Sequence, residues 1–191
     1  MQQTKNNKST TDDIIINLGS SAFAAAEWAA SQTLIGGDNS VPSNNSLWDD
    51  QMTGHLCELA LYRYWYGSPV PDNWILSRYL QNINRLRGDG GSDFVGGNVD
   101  VKGSRMRGGL SLCDYHLLVR QRQSSSAWYV LALLDWDKRV VHLMGWLPDG
   151  ELPDQPSQDG DIFPGAYCVP ANRLYRLPPM HWELTRNFGS N

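Results

Sequence analysis

The chain has 191 residues, of which 41% are hydrophobic and 19% charged, and its formal net charge is −4. This length and balance are typical of one soluble globular domain with a sizeable core, and the overall charge gives no indication of nucleic-acid binding. Cys57, Cys113 and Cys168 form no CxxC pair and no His/Cys cluster at zinc spacing. This excludes a zinc module and favours reduced thiols in a cytosolic protein.

The first segments are a predicted tail and a predicted helix. Residues 1–13 are polar and lack apolar periodicity, so we expect a mobile tail, followed by a single domain over 14–191. A helix is predicted over Ala22 to Thr33, capped by Ser20 or Ser21. Two aspartates precede its apolar residues and Glu27 interrupts them, which argues against a signal peptide or a membrane span. We therefore expect a cytoplasmic protein with no membrane partner.

A second helix carries a candidate acidic residue. After a loop over 36–46, apolar residues at helical spacing predict a helix from Asp49 to Tyr66, which Gly67 stops. Glu58 lies between apolar neighbours on this helix, so we expect it to be partly buried and to need a partner. His55, one turn earlier, is expected on the helix surface.

The middle of the chain is locally basic. Residues 74–87 predict an amphipathic helix or an irregular arm, on which Arg85 and Arg87 could contact nucleic acid or solvent. From Arg78 to Arg122 there are eight basic and four acidic residues, a net charge of +4, which leaves −8 for the rest. Positive charge is therefore concentrated where a phosphate backbone could bind.

The stretch from Gly91 to Ser104 predicts a β-hairpin with its turn at 96–98 and its return strand at 99–102. Residues two apart on a strand share a face, so Asp100 and Lys102 point the same way, and Asp93 can lie beside Asp100 across the hairpin. Two close carboxylates repel each other unless a cation lies between them, and hard oxygen ligands suit Mg²⁺ or Mn²⁺.

Further strands follow the hairpin. The basic run from Gly103 to Gly109 is a predicted loop at the lip of this site, where Arg105 and Arg107 are the best candidates for phosphate contact. Strands are predicted at 115–122, 128–135 and 140–147, the last two joined as a hairpin. Residues 149–161 hold five acids and no base and predict an exposed connection, and the tail from residue 167 is expected to pack across the sheet.

These residues also resemble a known family. Asp93, followed after six residues by Asp100-Val101-Lys102, resembles the core of the PD-(D/E)XK nuclease superfamily, which includes restriction endonucleases, junction resolvases and many phage nucleases. The upstream helix of that superfamily carries a glutamate, and the segment 54–60 resembles it with Glu58 at the matching position. Glu27 is the alternative candidate for this glutamate, but we prefer Glu58 because its helix segment precedes the hairpin in the order that the superfamily shows. Ser92 stands where the motif has proline, a common variation in the superfamily. The resemblance covers residues 54–146.

The resemblance implies a restriction-endonuclease-like α/β fold, with a central mixed sheet flanked by helices, a core at 49–147 and a C-terminal extension at 148–191. It implies a Mg²⁺-dependent or Mn²⁺-dependent deoxyribonuclease, most often an endonuclease, in a bacterial or phage-infected cell. Asp93, Asp100 and the Val101 carbonyl would hold the metal, with Glu58 completing its surroundings and Lys102 positioning water. Many such nucleases pair to cut both strands, so a homodimer is compatible with it. The alternative is a catalytically silent nucleic-acid-binding or protein-interaction module that keeps the fold.

Overall fold

Two helices form the first half of the fold. The computed structural model describes residues 13–36, 45–66, 73, 76–77, 79–80, 99–120, 126–158, 161 and 163–177, with the backbone alone at 33–36 and 45–47. Helix α1 is Ser20–Gly36 and helix α2 is Asn45–Tyr66. Both predicted helices are thus confirmed: α1 is longer at both ends, and α2 begins earlier but ends at Tyr66 as predicted. The carbonyl of Gly19 accepts the first helical N–H groups of α1, so the cap lies one residue before the predicted serines.

A four-stranded mixed sheet packs against these helices. Its strands, in the spatial order β1-β5-β4-β2, are β1 (Ile14–Asn17), β5 (Val140–Pro148), β4 (Trp128–Asp135) and β2 (Val99–Arg105). The pairs β1–β5 and β4–β5 are antiparallel, whereas β2 runs parallel to β4. The strands predicted at 128–135 and 140–147 and their hairpin are confirmed.

The two faces of this sheet pack against different layers. On one face, small residues of α1 and apolar residues of α2 pack against Val101, Val130 and Ala132. On the other face, Tyr129 and Leu131 pack against an antiparallel pair of strands, β3 (His116–Val119) and β6 (Tyr167–Pro170). Because β4 is covered on both faces, its interior is continuously apolar, as predicted.

The expected α/β class with a mixed sheet is therefore confirmed, but two details differ. Among the described residues both helices lie on the same face, and the predicted strand at 115–122 belongs to the second, smaller sheet. Its partner β6 comes from the tail, which therefore packs over the sheet from that layer. The isolated bridge between Trp146 and Tyr175 adds a further contact of the tail with β5.

Other predictions fall largely outside the described residues. These are the tail at 1–12, the helix or arm at 74–87 and the first strand and turn of the hairpin at 94–98. Asp13, the last residue of the predicted tail, hydrogen-bonds His142 of β5. The acidic connection at 149–161 is mostly exposed where it is described. None of the described helices is long and apolar enough to cross a membrane.

Gly145 allows β5 to bulge and to receive the tail. It has φ 148°, and an added Cβ would lie 2.6 Å from the carbonyl oxygen of Tyr175. The pairing of β4 with β5 shifts register at the same place, as in a bulge. We expect Gly145→Ala to lower the free energy of unfolding by about 3 kcal/mol, because both the backbone angle and the space oppose a side chain.

Denaturant titration measures this effect, and Gly108→Ala is the matched control. An added Cβ at the exposed Gly108 would meet nothing within 4 Å, so that variant should stay within about 0.5 kcal/mol of wild type. Equal stability of the two variants would contradict the close approach of Tyr175.

Candidate metal and phosphate site

Asp100 and Lys102 form an ion pair on β2. Their side chains share the face of the sheet opposite α2, and Lys102 Nζ lies 2.6 Å from Asp100 Oδ2. The two side chains therefore point the same way, as the alternation of the strand predicts. Val99 and Val101 point to the other face, into the core with the helices. This alternation anchors the strand on one side and presents the charged pair on the other.

The Asp100 carboxylate is buried in an environment that opposes its charge. Asp100 is only 5% exposed, and burial raises the pKa of its carboxyl. The charge of Lys102 lowers this pKa in part, while the nearby charge of Glu58 raises it further. In the described part of the chain, the Lys102 ammonium is the one partner of this buried oxygen, and no other donor reaches it. A buried carboxylate oxygen in this state is suited to a cation.

Helix α2 places Glu58 beside β2. The helix runs antiparallel to the strand, since Asp49 pairs with Arg105 near its start and Cys57 lies against Gly103 about two turns later. An added Cβ at Gly103 would be 3.1 Å from Cys57 Sγ, so the missing side chain lets the helix approach closely. Glu58 follows Cys57 and therefore lies close enough to Asp100 for their charges to interact.

Two further residues hold the Glu58 carboxylate. The Tyr79 hydroxyl donates to Glu58 Oε2 at 2.8 Å, and His55 Nδ1 lies 2.8 Å from that hydroxyl and 3.3 Å from the same Oε2. His55 is buried, so the expectation of a surface histidine was wrong. Its spacing of i−3 from Glu58 was the available indication, because residues three apart share a helix face. Tyr79 gave no signal, since its contact joins segments 21 residues apart.

Loss of the Tyr79 hydroxyl tests whether this network positions Glu58. We expect Tyr79→Phe to weaken Mg²⁺ binding by about tenfold, because groups that orient a ligand affect metal affinity at that scale. The control is Tyr175→Phe, which removes a hydroxyl that donates to the exposed Glu151 carboxylate. An Mg²⁺ titration of the melting temperature that gives the same midpoint for both variants would leave Tyr79 with a structural role alone.

Of the arginines predicted to contact phosphate, Arg105 does not lie beside the ion pair of Asp100 and Lys102. Arg105 lies on the opposite face of β2 from Lys102, where its Nη1 is 2.7 Å from Asp49 Oδ2 and its guanidinium lies 4.5 Å from the centre of the Trp136 ring. Arg105 and Lys102 are three residues apart on one strand, and residues at an odd spacing point to opposite faces of the sheet. The prediction that Arg105 lies beside Lys102 at the edge of the site was therefore wrong. Arg107 is exposed just after β2, and its phosphate contact stays a prediction.

Three predicted site residues, Asp93, Arg85 and Arg87, lie outside the described residues. The predicted role of the Val101 carbonyl also stays a prediction. In the described part of the chain, no three His, Cys, Asp or Glu side chains form a group that could hold a metal. The two carboxylates of Asp100 and Glu58 nevertheless supply hard oxygen donors, and Asp100 Oδ2 is buried with no described partner besides Lys102. This donor set fits Mg²⁺ or Mn²⁺, which are bound through few carboxylates and several waters.

Comparison of the chain with family models, with curated proteins and with solved structures gave no match. The resemblance to PD-(D/E)XK nucleases therefore rests on the sequence motif alone.

Proposed function

We propose that the chain is a metal-dependent nuclease that hydrolyses DNA phosphodiester bonds in the manner of PD-(D/E)XK enzymes. The observation that carries the proposal is the buried Asp100 carboxylate, which pairs with Lys102 and lies near a second carboxylate, Glu58. Burying a carboxylate whose charge the fold disfavours lowers stability, and such groups concentrate at functional sites. The motif-like spacing and the geometry thus support the same residues.

Each residue of the site has a role in the proposed reaction that follows from its chemistry. Asp100 and Glu58, with Asp93 as the resemblance implies, would hold Mg²⁺ or Mn²⁺. The bound metal would supply an acidified water and shield the charge of the phosphate. Lys102 donates hydrogen bonds from its ammonium group and so stabilises the added negative charge on the phosphoryl oxygens as the water attacks. His55 and Tyr79 fix the orientation of Glu58.

A cleavage panel tests the proposal. Purified protein is incubated with supercoiled plasmid, single-stranded DNA and branched DNA, each with Mg²⁺, Mn²⁺ or EDTA. We expect cutting of at least one substrate with metal and none with EDTA, and the preferred substrate defines the strand form. Cutting that continues in EDTA, or no cutting of any substrate by folded protein with metal present, would contradict the proposal.

One observation favours a second function, a nucleic-acid-binding module that does not cleave. Lys102 Nζ already lies 2.6 Å from Asp100 Oδ2, so the ammonium can neutralise the carboxylate without a metal. In that case DNA would be bound without metal and would not be cleaved with any metal, and Mg²⁺ would leave the melting temperature unchanged. A shift of the melting temperature by Mg²⁺ together with cleavage decides for the nuclease.

A further inference from the structure

A groove of about 400 Å³ opens beside Lys102, between the two sheets. Lys102 and Ser104 of β2 line one wall, and His116, Leu118 and Arg120 of β3 and its C-terminal end line the other. The alternation of both strands produces this arrangement. Residues 116, 118 and 120 share the face of β3 that turns to the groove, while its intervening residues are buried in the core.

The groove is basic. Its described lining includes Lys102, Arg120 and His116 and no carboxylate side chain. Arg120 is exposed and makes no ion pair with any described residue. His116 Nδ1 donates to the carbonyl of Asp114 at 3.1 Å, so that nitrogen carries hydrogen and leaves Nε2 for another partner. An anion fits this lining better than a cation does.

We propose that this groove binds the sugar–phosphate backbone of a single nucleic-acid strand, with Arg120 and His116 contacting phosphates next to the one held at Lys102. The inference rests on the proposed nuclease function and names the strand form and two residues for it. Along β3, His116 and Arg120 are four residues apart, about 13 Å, so they serve separate phosphates. The groove has the volume of a small-ligand pocket, so it can hold a short stretch of one nucleic-acid strand.

The apolar part of the lining has a matching role. Leu118 and Leu131 lie among the polar groups of the groove. The half-buried Leu118 offers a surface to the sugars between phosphates, with the buried Leu131 beneath it, while Ser104 offers a hydroxyl to a phosphate or sugar oxygen. Contacts of this kind are independent of base sequence, so the groove positions a strand without selecting its sequence.

Binding of labelled single-stranded and duplex oligonucleotides of equal length tests the inference. Binding is measured in EDTA, where metal-dependent cleavage cannot consume the probe, and over a series of salt concentrations. We expect Arg120→Gln to bind the single strand about tenfold more weakly at low salt. The slope of log K against log salt should become less negative by about 0.7, the value for one lost phosphate contact on a single strand. His116→Gln should weaken binding in the same direction, and Arg120→Lys should restore part of it.

The control is Arg173→Gln, at an exposed arginine outside the groove lining, which should bind like wild type. Equal binding by Arg120→Gln and wild type, an equal loss in Arg173→Gln, tighter wild-type binding to duplex than to single strand, or no wild-type binding at low salt would each overturn the inference. Binding that depends on Arg120 without cleavage would overturn the nuclease alone. Metal-dependent cleavage with unchanged KM in Arg120→Gln would overturn the groove alone.

Discussion

Lys102→Ala should lower the rate of metal-dependent cleavage by about 10²–10³-fold. Lys102 is the one cation to which the proposed mechanism gives a catalytic role, and it would stabilise the negative charge that grows as the phosphate is attacked. Its removal also takes away the charge that holds down the pKa of Asp100, so more of that carboxyl would carry a proton and fewer molecules could bind metal. Initial rates on the preferred substrate at saturating Mg²⁺ measure the loss.

Lys138→Ala is the matched control for this substitution. Lys138 also forms an ion pair, with Asp135 at 2.8 Å, but it is exposed in the turn between β4 and β5, away from the groove. Its loss should leave the rate within about twofold of wild type, since exposed pairs contribute little. Wild-type cleavage by well-folded Lys102→Ala, measured beside this control, would remove Lys102 from the mechanism.

Asp100→Asn should lower the cleavage rate at least as much as Lys102→Ala does, and it should make the folded protein more stable. The amide keeps the shape of the side chain but carries no charge, so the buried site no longer opposes it. We expect an increase of about 1 kcal/mol in the free energy of unfolding at neutral pH, or about 3 °C in Tm. Such a gain together with lost activity is typical of a group that the fold retains for function.

The pH dependence of this gain has a definite sign. Burial raises the pKa of Asp100 in the folded chain above its ordinary value of 3.8, so the folded state binds this proton more tightly than the unfolded state does. The contribution of Asp100 to stability is therefore present at low pH and is lost as pH rises through its folded pKa. Denaturation of wild type and Asp100→Asn across this range should show a difference near zero at acidic pH that grows toward neutrality. A constant difference would contradict the raised pKa.

Mg²⁺ should reverse the order of stability. At a concentration ten times its dissociation constant, a ligand that binds only the folded state stabilises it by about 1.4 kcal/mol, which corresponds to about 3–5 °C here. Wild type should show this shift and Asp100→Asn should not, because the substitution removes a ligand. The same shift in both proteins would place the metal away from Asp100.

Local patterns predicted much of the fold. The apolar run of β4 and the short turn before β5 determine a buried hairpin, and the spacing of leucines on α2 places Glu58 on a half-buried face. The pairing of β2 with β4 joins segments about thirty residues apart, and that of β3 with β6 about fifty. No local pattern specifies such pairings, because any exposed edge of suitable length could serve. The second sheet was therefore missed.

The site was predictable to the extent that it depends on strand alternation. Asp100 and Lys102 share a face because they are two residues apart, and the ion pair bears this out. The same rule puts Arg105 on the opposite face, because residues 102 and 105 are an odd number of positions apart. Tyr79 and the lining residues His116 and Arg120 enter through tertiary packing between separate elements, so only the assembled structure brings them to the site.

If Asp100 and Lys102 form a metal-dependent site that cleaves nucleic acid, cleavage must require both the metal and the Asp100 carboxylate. The most direct measurement is the cleavage rate of the preferred substrate by wild type and Asp100→Asn, prepared together, with Mg²⁺ and with EDTA. We expect cutting only by wild type with Mg²⁺. The Asp100→Asn protein should not cut, although it is folded and at least as stable as wild type. Equal cutting by both proteins with Mg²⁺, or equal cutting by wild type in Mg²⁺ and in EDTA, would contradict it.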